Sequence, residues 1–240
     1  MQTKTKTWNA IIAVILAIAM STGAYAATIT VEAGGDIAAA NATAVAGDVI
    51  DIAAGTYAIT AAIEIKDGVT YQGAGSALTI IDCGGVTRAF VGWGDRSQGD
   101  ELPYSETGYP DNTSGPKGWV IQGLSIINGV ADDVDKSVRR VGDPAIDPAL
   151  TANEILDADK STDGGGILLE NYAEGTLIDV AFDNCNALAT GVDAADPTVV
   201  TYLGSGGALR MGSATANIVD CSFTNNNVSD DGGAISASNP

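Results

Sequence analysis

The sequence predicts an all-β chain wound into a solenoid of stacked parallel coils, and three observations carry that expectation. Short proline-free runs rich in Val, Ile and Gly alternate with polar segments that hold every proline except Pro240. Segments 121–129 (IQGLSIING), 177–185 (LIDVAFDNC) and 218–226 (IVDCSFTNN) align column for column. A glycine motif recurs as GGGI (164–167), GGAL (206–209) and GGAI (232–235).

Taken in order, the chain opens with Lys4 and Lys6, an unbroken apolar run from Ala10 to Met20 and the small residues of Ala24-Tyr25-Ala26. This is the pattern of a secretory leader cut after Ala26, and the run is too short to span a bilayer. Residues 27–240 then form one expected domain. Its last residues stop just after a strand begins, as in an N-terminal portion of something longer. Asp36 is a good helix cap before an alanine-rich stretch ending near Ala46. A short helix there would cover the open end of the first coil, since solenoids need capped ends and open strands invite edge pairing.

The β-branched runs VIDIA (49–53), AIEIK (62–66), VTYQG (69–73), TIIDC (79–83), WVIQGLSII (119–127), GGILLEN (165–171), TLIDVAF (176–182), ALRM (208–211) and NIVDCSF (217–223) read as strands bounded by Gly, Asn or Asp. Segments 88–118, 131–163 and 187–204 carry the prolines and read as loops. The last two glycine motifs are 26 residues apart (206 to 232), whereas the aligned segments are 41 (177 to 218) and 56 (121 to 177) apart. Insertions of loop length into a one-coil repeat explain the excess.

In that alignment Leu124, Val180 and Cys221 share a column, as do Ser125, Ala181 and Ser222, and Ile126, Phe182 and Phe223. Asn128, Asn184 and Asn225 share another and are expected as a buried amide ladder at a bend. Glycine supplies the tight bends. Cys221 reads as a stacked core residue, and Cys185 falls beside Asn226 instead of Cys221, which disfavours a bridge between the two cysteines.

The arrangement resembles the right-handed parallel β-helix, or pectin lyase-like, superfamily. AGDVIDIAAGTY, GVTYQGAG and TIIDCGG look like its opening coil. GGAL, GGAI and FTNN (223–226) are similar to the repeats of polymorphic outer membrane proteins. The resemblance covers residues 28–86, 119–130 and 164–240. It implies a single-stranded right-handed β-helix and a secreted, cell-surface or outer-membrane adhesion or binding module. Membrane association would come only through a missing C-terminal region.

Composition narrows the function. The chain has no histidine, which removes His-dependent triads and His metal sites. Three cysteines are too few for a disulfide scaffold. Net charge is −19, and losing a leader with two lysines leaves −21. This argues against nucleic acid and anionic membrane surfaces as partners, while extracellular polysaccharide or cell-surface molecules remain. Trp93, Tyr104 and Tyr109 would either stack on sugar rings or pack their loop.

The alternative is a carbohydrate-active enzyme. A glycoside hydrolase needs two carboxyl groups flanking a sugar bond. Asp179 and Asp220 share a column about 5 Å apart on adjacent coils, although stacked aspartates also arise wherever a repeat is copied. The lyase resemblance implies a base and acidic Ca²⁺ ligands, for which Arg139, Arg140, Asp132, Asp133 and Asp135 are the nearest ingredients; a solvated charge run is the favoured reading of them. Asp157, Asp159 and Asp163 faintly resemble a calcium loop, without glycine at its sixth place or glutamate at its twelfth. No catalytic residue is assigned, and Ca²⁺ is the one cofactor considered. Asn41, Asn112 and Asn227 lie in glycosylation sequons.

Overall fold

The computed structural model describes residues 26–92, 115–131, 163–170, 172–188, 190–192, 200–202 and 204–238. The expected leader to Tyr25, the loop aromatics Trp93, Tyr104 and Tyr109, sequon Asn112, the Asp132–Arg140 charge run, Asp157 and Asp159 lie outside the described residues.

Among the described residues, eighteen strands and one helix follow in chain order. The first segment holds β1 (Thr28–Val31), α1 (Ile37–Thr43), β2 (Val49–Ile52), β3 (Gly55–Ala58), β4 (Ile63–Glu64), β5 (Thr70–Gly73), β6 (Thr79–Asp82) and β7 (Phe90–Gly92). The middle holds β8 (Lys117–Ile127), β9 (Ile167–Leu169), β10 (Glu174–Asp183), β11 (Asn186–Ala187), β12 (Thr190–Val192) and β13 (Val200–Tyr202). The last holds β14 (Leu209–Gly212), β15 (Thr215–Val219), β16 (Ser222–Thr224), β17 (Asn227–Val228) and β18 (Ile235–Ser238). The described residues are mostly β, and their ladders are parallel apart from the β12–β13 pair.

The main sheet has nine strands. One limb runs β1-β2-β5-β8-β10-β15, and β3, β6 and β16 extend a second limb beside the far halves of β8 and β10. A five-stranded sheet runs β4-β7-β9-β14-β18. A third, two-stranded ladder joins β11 to β17, with Val130 bridging to Asn186 one winding earlier.

The repeat columns are real registers. Leu124 pairs with Val180, Ser125 with Ala181 and Ser222 in turn, and Ile126 with Phe182 and Phe223 in turn. Ile167, Leu209 and Ile235, each following a glycine motif, form one rung. Like side chains therefore stack on like. The Phe182 and Phe223 rings lie parallel, 4.9 Å apart at 3°, and Ile121, Ile126, Leu177 and Phe182 are fully buried in a single core. Gly165 and Gly207 let successive windings approach: a Cβ on either would lie 2.4 or 2.2 Å from the carbonyl oxygen of the winding above.

Two expectations are corrected. The asparagine column does turn a corner, with Asn128, Asn184 and Asn225 at φ 54, 55 and 53°. It is not buried: Asn128 is half-buried, and Asn184 and Asn225 are exposed. Residues in this left-handed conformation mark the corner, and the side chains turn outward while Cys185 just beyond turns in. Asn184 Nδ2 donates to Asn128 Oδ1 at 2.9 Å, and Asn128 Nδ2 to Asp82 Oδ1 at 2.9 Å. Asn225, however, donates to Asp183 Oδ1 (2.7 Å). A neighbouring carboxylate accepts more strongly than an amide.

The loops also hold more structure than expected. β7 sits inside 88–118, paired with β4 and β9, and β12 and β13 pair inside 187–204. Three-residue strands leave too little alternation to read. The helix forms where expected, with Asp36 Oδ1 accepting the Ala39 N–H at 3.0 Å, but it ends at Thr43, with Ala44 as its C-cap. It packs against β1, β2 and β4. Asn41 on its buried side donates to the Glu64 carbonyl and accepts from the Tyr71 hydroxyl, both at 2.8 Å.

Candidate functional site

The outer face of the main sheet is the surface the stacking builds most regularly. Along the first limb, Tyr71, Ile121 and Leu177 point into the core, so their neighbours alternate outward. Two outward columns result. One is Thr70, Val120, Thr176 and Asn217; the other is Gln72, Gln122, Ile178 and Val219. From β5 to β15 none of these eight is charged, in a chain of net charge −19. Gln122 Nε2 donates to Gln72 Oε1 at 3.0 Å, which ties the two amides together along the stack. The second column continues past Gln72 to Asp51 on β2 and Thr30 on β1.

The corner between the two limbs holds the aspartate pair singled out from the sequence. The register flanking them puts Gly123, Asp179 and Asp220 in one column. All three are left-handed, at φ 64, 50 and 52°. Asp and Gly are residues that accept this conformation, so the column is chosen first by the bend. Asp179 is also engaged: Ser76 donates its hydroxyl to Oδ1 at 2.6 Å and its N–H to Oδ2 at 3.2 Å. Gly123, without a side chain, leaves the room for Asp179 to reach the winding two below. Ser125 completes the knot by donating its hydroxyl to the Ser76 carbonyl. Asp220 is exposed at the last winding.

Asp163 accepts the Ser205 N–H at 2.7 Å and faces the Arg210 guanidinium at 3.5 Å. Its partners in the calcium-loop pattern, Asp157 and Asp159, lie outside the described residues. Among the described residues no three metal-ligating side chains gather. The three cysteines are free thiols. Burial pushes the Cys185 thiol up to about 12 and the Cys83 thiol further still. The Cys185 amide donates to Asn226 Oδ1 at 2.8 Å, as the alignment placed it.

The winding from β16 to β18 carries a sequence match. Residues 220–238 match the Chlamydia polymorphic membrane protein repeat. The match runs from the Asp220 corner through the Phe223 stack, the asparagine corner and the Gly232 bend into β18. It thus coincides with part of one winding of the stack. Neither the curated proteins nor the solved structures contain a significant match to the chain.

The sequence reading missed the uncharged outer columns and Ser76. The columns were legible in principle, since alternation within WVIQ and TLID separates inward from outward residues. Ser76 was not: it is 103 residues from Asp179, and no local pattern links them.

Proposed function

We propose that this chain is a secreted or surface-displayed protein, built as a right-handed parallel β-helix of the pectin lyase-like kind, that serves as an adhesion or binding module. The observation that carries this is the coincidence of the matched repeat with a structural winding: residues 220–238 are the segment whose Phe223 and Asn227 stack on Phe182 and Asn186 beneath. A polymorphic membrane protein repeat points to a surface or outer-membrane protein. The parallel registers over three sheets support the solenoid.

The binding face is the uncharged strip of the main sheet. An acidic protein repels polyanions at long range, so a partner is best received where flat amide, hydroxyl and aliphatic groups replace charge. Successive windings lie about 4.8 Å apart, close to the length of one sugar residue, which suits an uncharged extracellular polysaccharide or a glycosylated cell-surface molecule. The glycosidase reading has less support, because the Asp179 carboxylate already holds Ser76.

The test is a screen of residues 27–240 against extracellular polysaccharides, with and without Ca²⁺, read for binding and for cleavage, beside surface labelling of cells expressing the whole gene. Binding without cleavage is expected, weakened by about tenfold or more when Gln122→Lys and Thr176→Lys put charge on the strip. Cleavage lost in Asp220→Asn, or a protein confined to the cell interior, would sink the proposal.

A further inference from the structure

The chain contains one Asn-Gly sequence, Asn128-Gly129, and the fold places it in the middle of the asparagine corner. In a flexible chain this dipeptide is the most readily deamidated of all, because glycine leaves its own N–H unobstructed. The Gly129 nitrogen attacks the Asn128 side-chain carbon and loses its proton to solvent. The Cγ–Nδ2 bond breaks, and ammonia departs. Water then opens the succinimide at either carbonyl, giving aspartate or isoaspartate.

The folded corner restrains the groups that this step must move. Asn128 Nδ2, the leaving group, is donated to Asp82 Oδ1 at 2.9 Å, and Oδ1 accepts from Asn184 Nδ2 at 2.9 Å. The side chain is thus held from the winding on either side and cannot swing onto its own backbone. Gly129 is buried and wedged: a Cβ there would lie 2.3 Å from the Gly165 carbonyl oxygen and 3.1 Å from Cys185 Sγ. Asn128 itself sits at φ 54°, fixed by an N–H to the Asp183 carbonyl and a carbonyl to the Gly85 N–H.

We infer that Asn128-Gly129 is a latent modification site, protected while the windings are stacked and converted to an acid once they separate. The conversion is one-way in its effect on the fold. A carboxylate at 128 would face the Asp82 carboxylate across the distance that a hydrogen bond now spans, and Asp82 Oδ1 would lose the Asn128 amide as a donor while keeping the Gly84 N–H. Isoaspartate would also lengthen the backbone at a corner whose neighbours tolerate no added atom. An opened chain that has deamidated therefore re-stacks poorly, and the working stability of the protein becomes a rate, set by how often this corner opens.

The experiment compares the protein folded and in urea at mildly alkaline pH, followed by peptide mass mapping of residue 128. Deamidation in the folded protein should be slower by on the order of a hundredfold or more, the factor expected if reaction requires local opening. Asn128→Asp made directly should melt lower than Asn128→Gly, since glycine keeps the left-handed bend and removes only the amide. Equal deamidation rates folded and unfolded would overturn the inference, as would Asn128→Asp melting no lower than Asn128→Gly. If Asn128→Asp does not fold while Asn128→Gly does, the added charge is the cause and the inference stands.

Discussion

Phe182 shows what one residue contributes here. Its ring is fully buried and stacks on Phe223. Phe182→Ala should cost about 3–5 kcal/mol by chemical denaturation, because the windings on both sides prevent collapse into the hole. Tyr71 is a second case. It is buried, donates to Asn41 and accepts the Lys66 N–H, and desolvation pushes its hydroxyl up to about 12. An unfolded tyrosine ionises near 10, so between pH 10 and 12 the unfolded chain loses its proton first. Stability therefore falls as pH rises through that window, and Tyr71→Phe should flatten the fall while costing about 1 kcal/mol at neutral pH for the lost bond. Cysteine reactivity follows burial. Cys83 and Cys185 should resist alkylation in the native protein, and Cys221, half-buried at the last winding, should react first.

At the scale of the element, the capping helix is the clearest case. Asp36 supplies its N-cap, and Lys66 Nζ donates to the Ala42 and Ala44 carbonyls at its other end, at 3.1 and 3.0 Å. Asp36→Ala should cost about 1 kcal/mol. The turn after the helix is held by Asp48, whose carboxylate accepts the Val45 and Ala27 N–H groups at 2.9 and 2.8 Å. Those two bonds lower its pKa below the ordinary carboxylate value. The stabilisation is full above the unfolded pKa near 4 and is lost as pH falls through the lower folded value. An acid titration of stability should show a smaller loss in Asp48→Asn than in the parent. The sequon at Asn41 belongs here too: its amide is donated to Glu64, so a glycan attached there would prevent the helix from docking.

For the whole molecule, each winding depends on the one above and the one below. A stack of this kind opens from its ends. β8 and β10 lie between neighbours on both sides, whereas β15 to β18 pair on one side only among the described residues. Val219 is 45% exposed at that end, although Ile178 beneath it is partly covered. In residues 27–240 prepared alone, hydrogen exchange should therefore show amides of β15 to β18 exchanging well before those of β8 and β10. Uniform protection along the stack would contradict the nearest-neighbour account. The net charge of −19 adds a repulsion that salt screens, so the melting temperature should rise with moderate NaCl.

Repetition made much of this legible in the sequence. When a segment is copied and stacked, the columns of the alignment become the rungs of the sheet, so Ser125, Ala181 and Ser222, or the three glycine motifs, could be placed without coordinates. The helix and its cap were legible because capping is a contact three residues long. Other features were not. That the asparagines face outward, that Asn225 turns to Asp183, and that Asp179 crosses Gly123 to hold Ser76 all depend on which way a side chain leaves a left-handed corner. That direction is set by the packing of windings tens of residues apart in the chain, and only the tertiary structure brings them together.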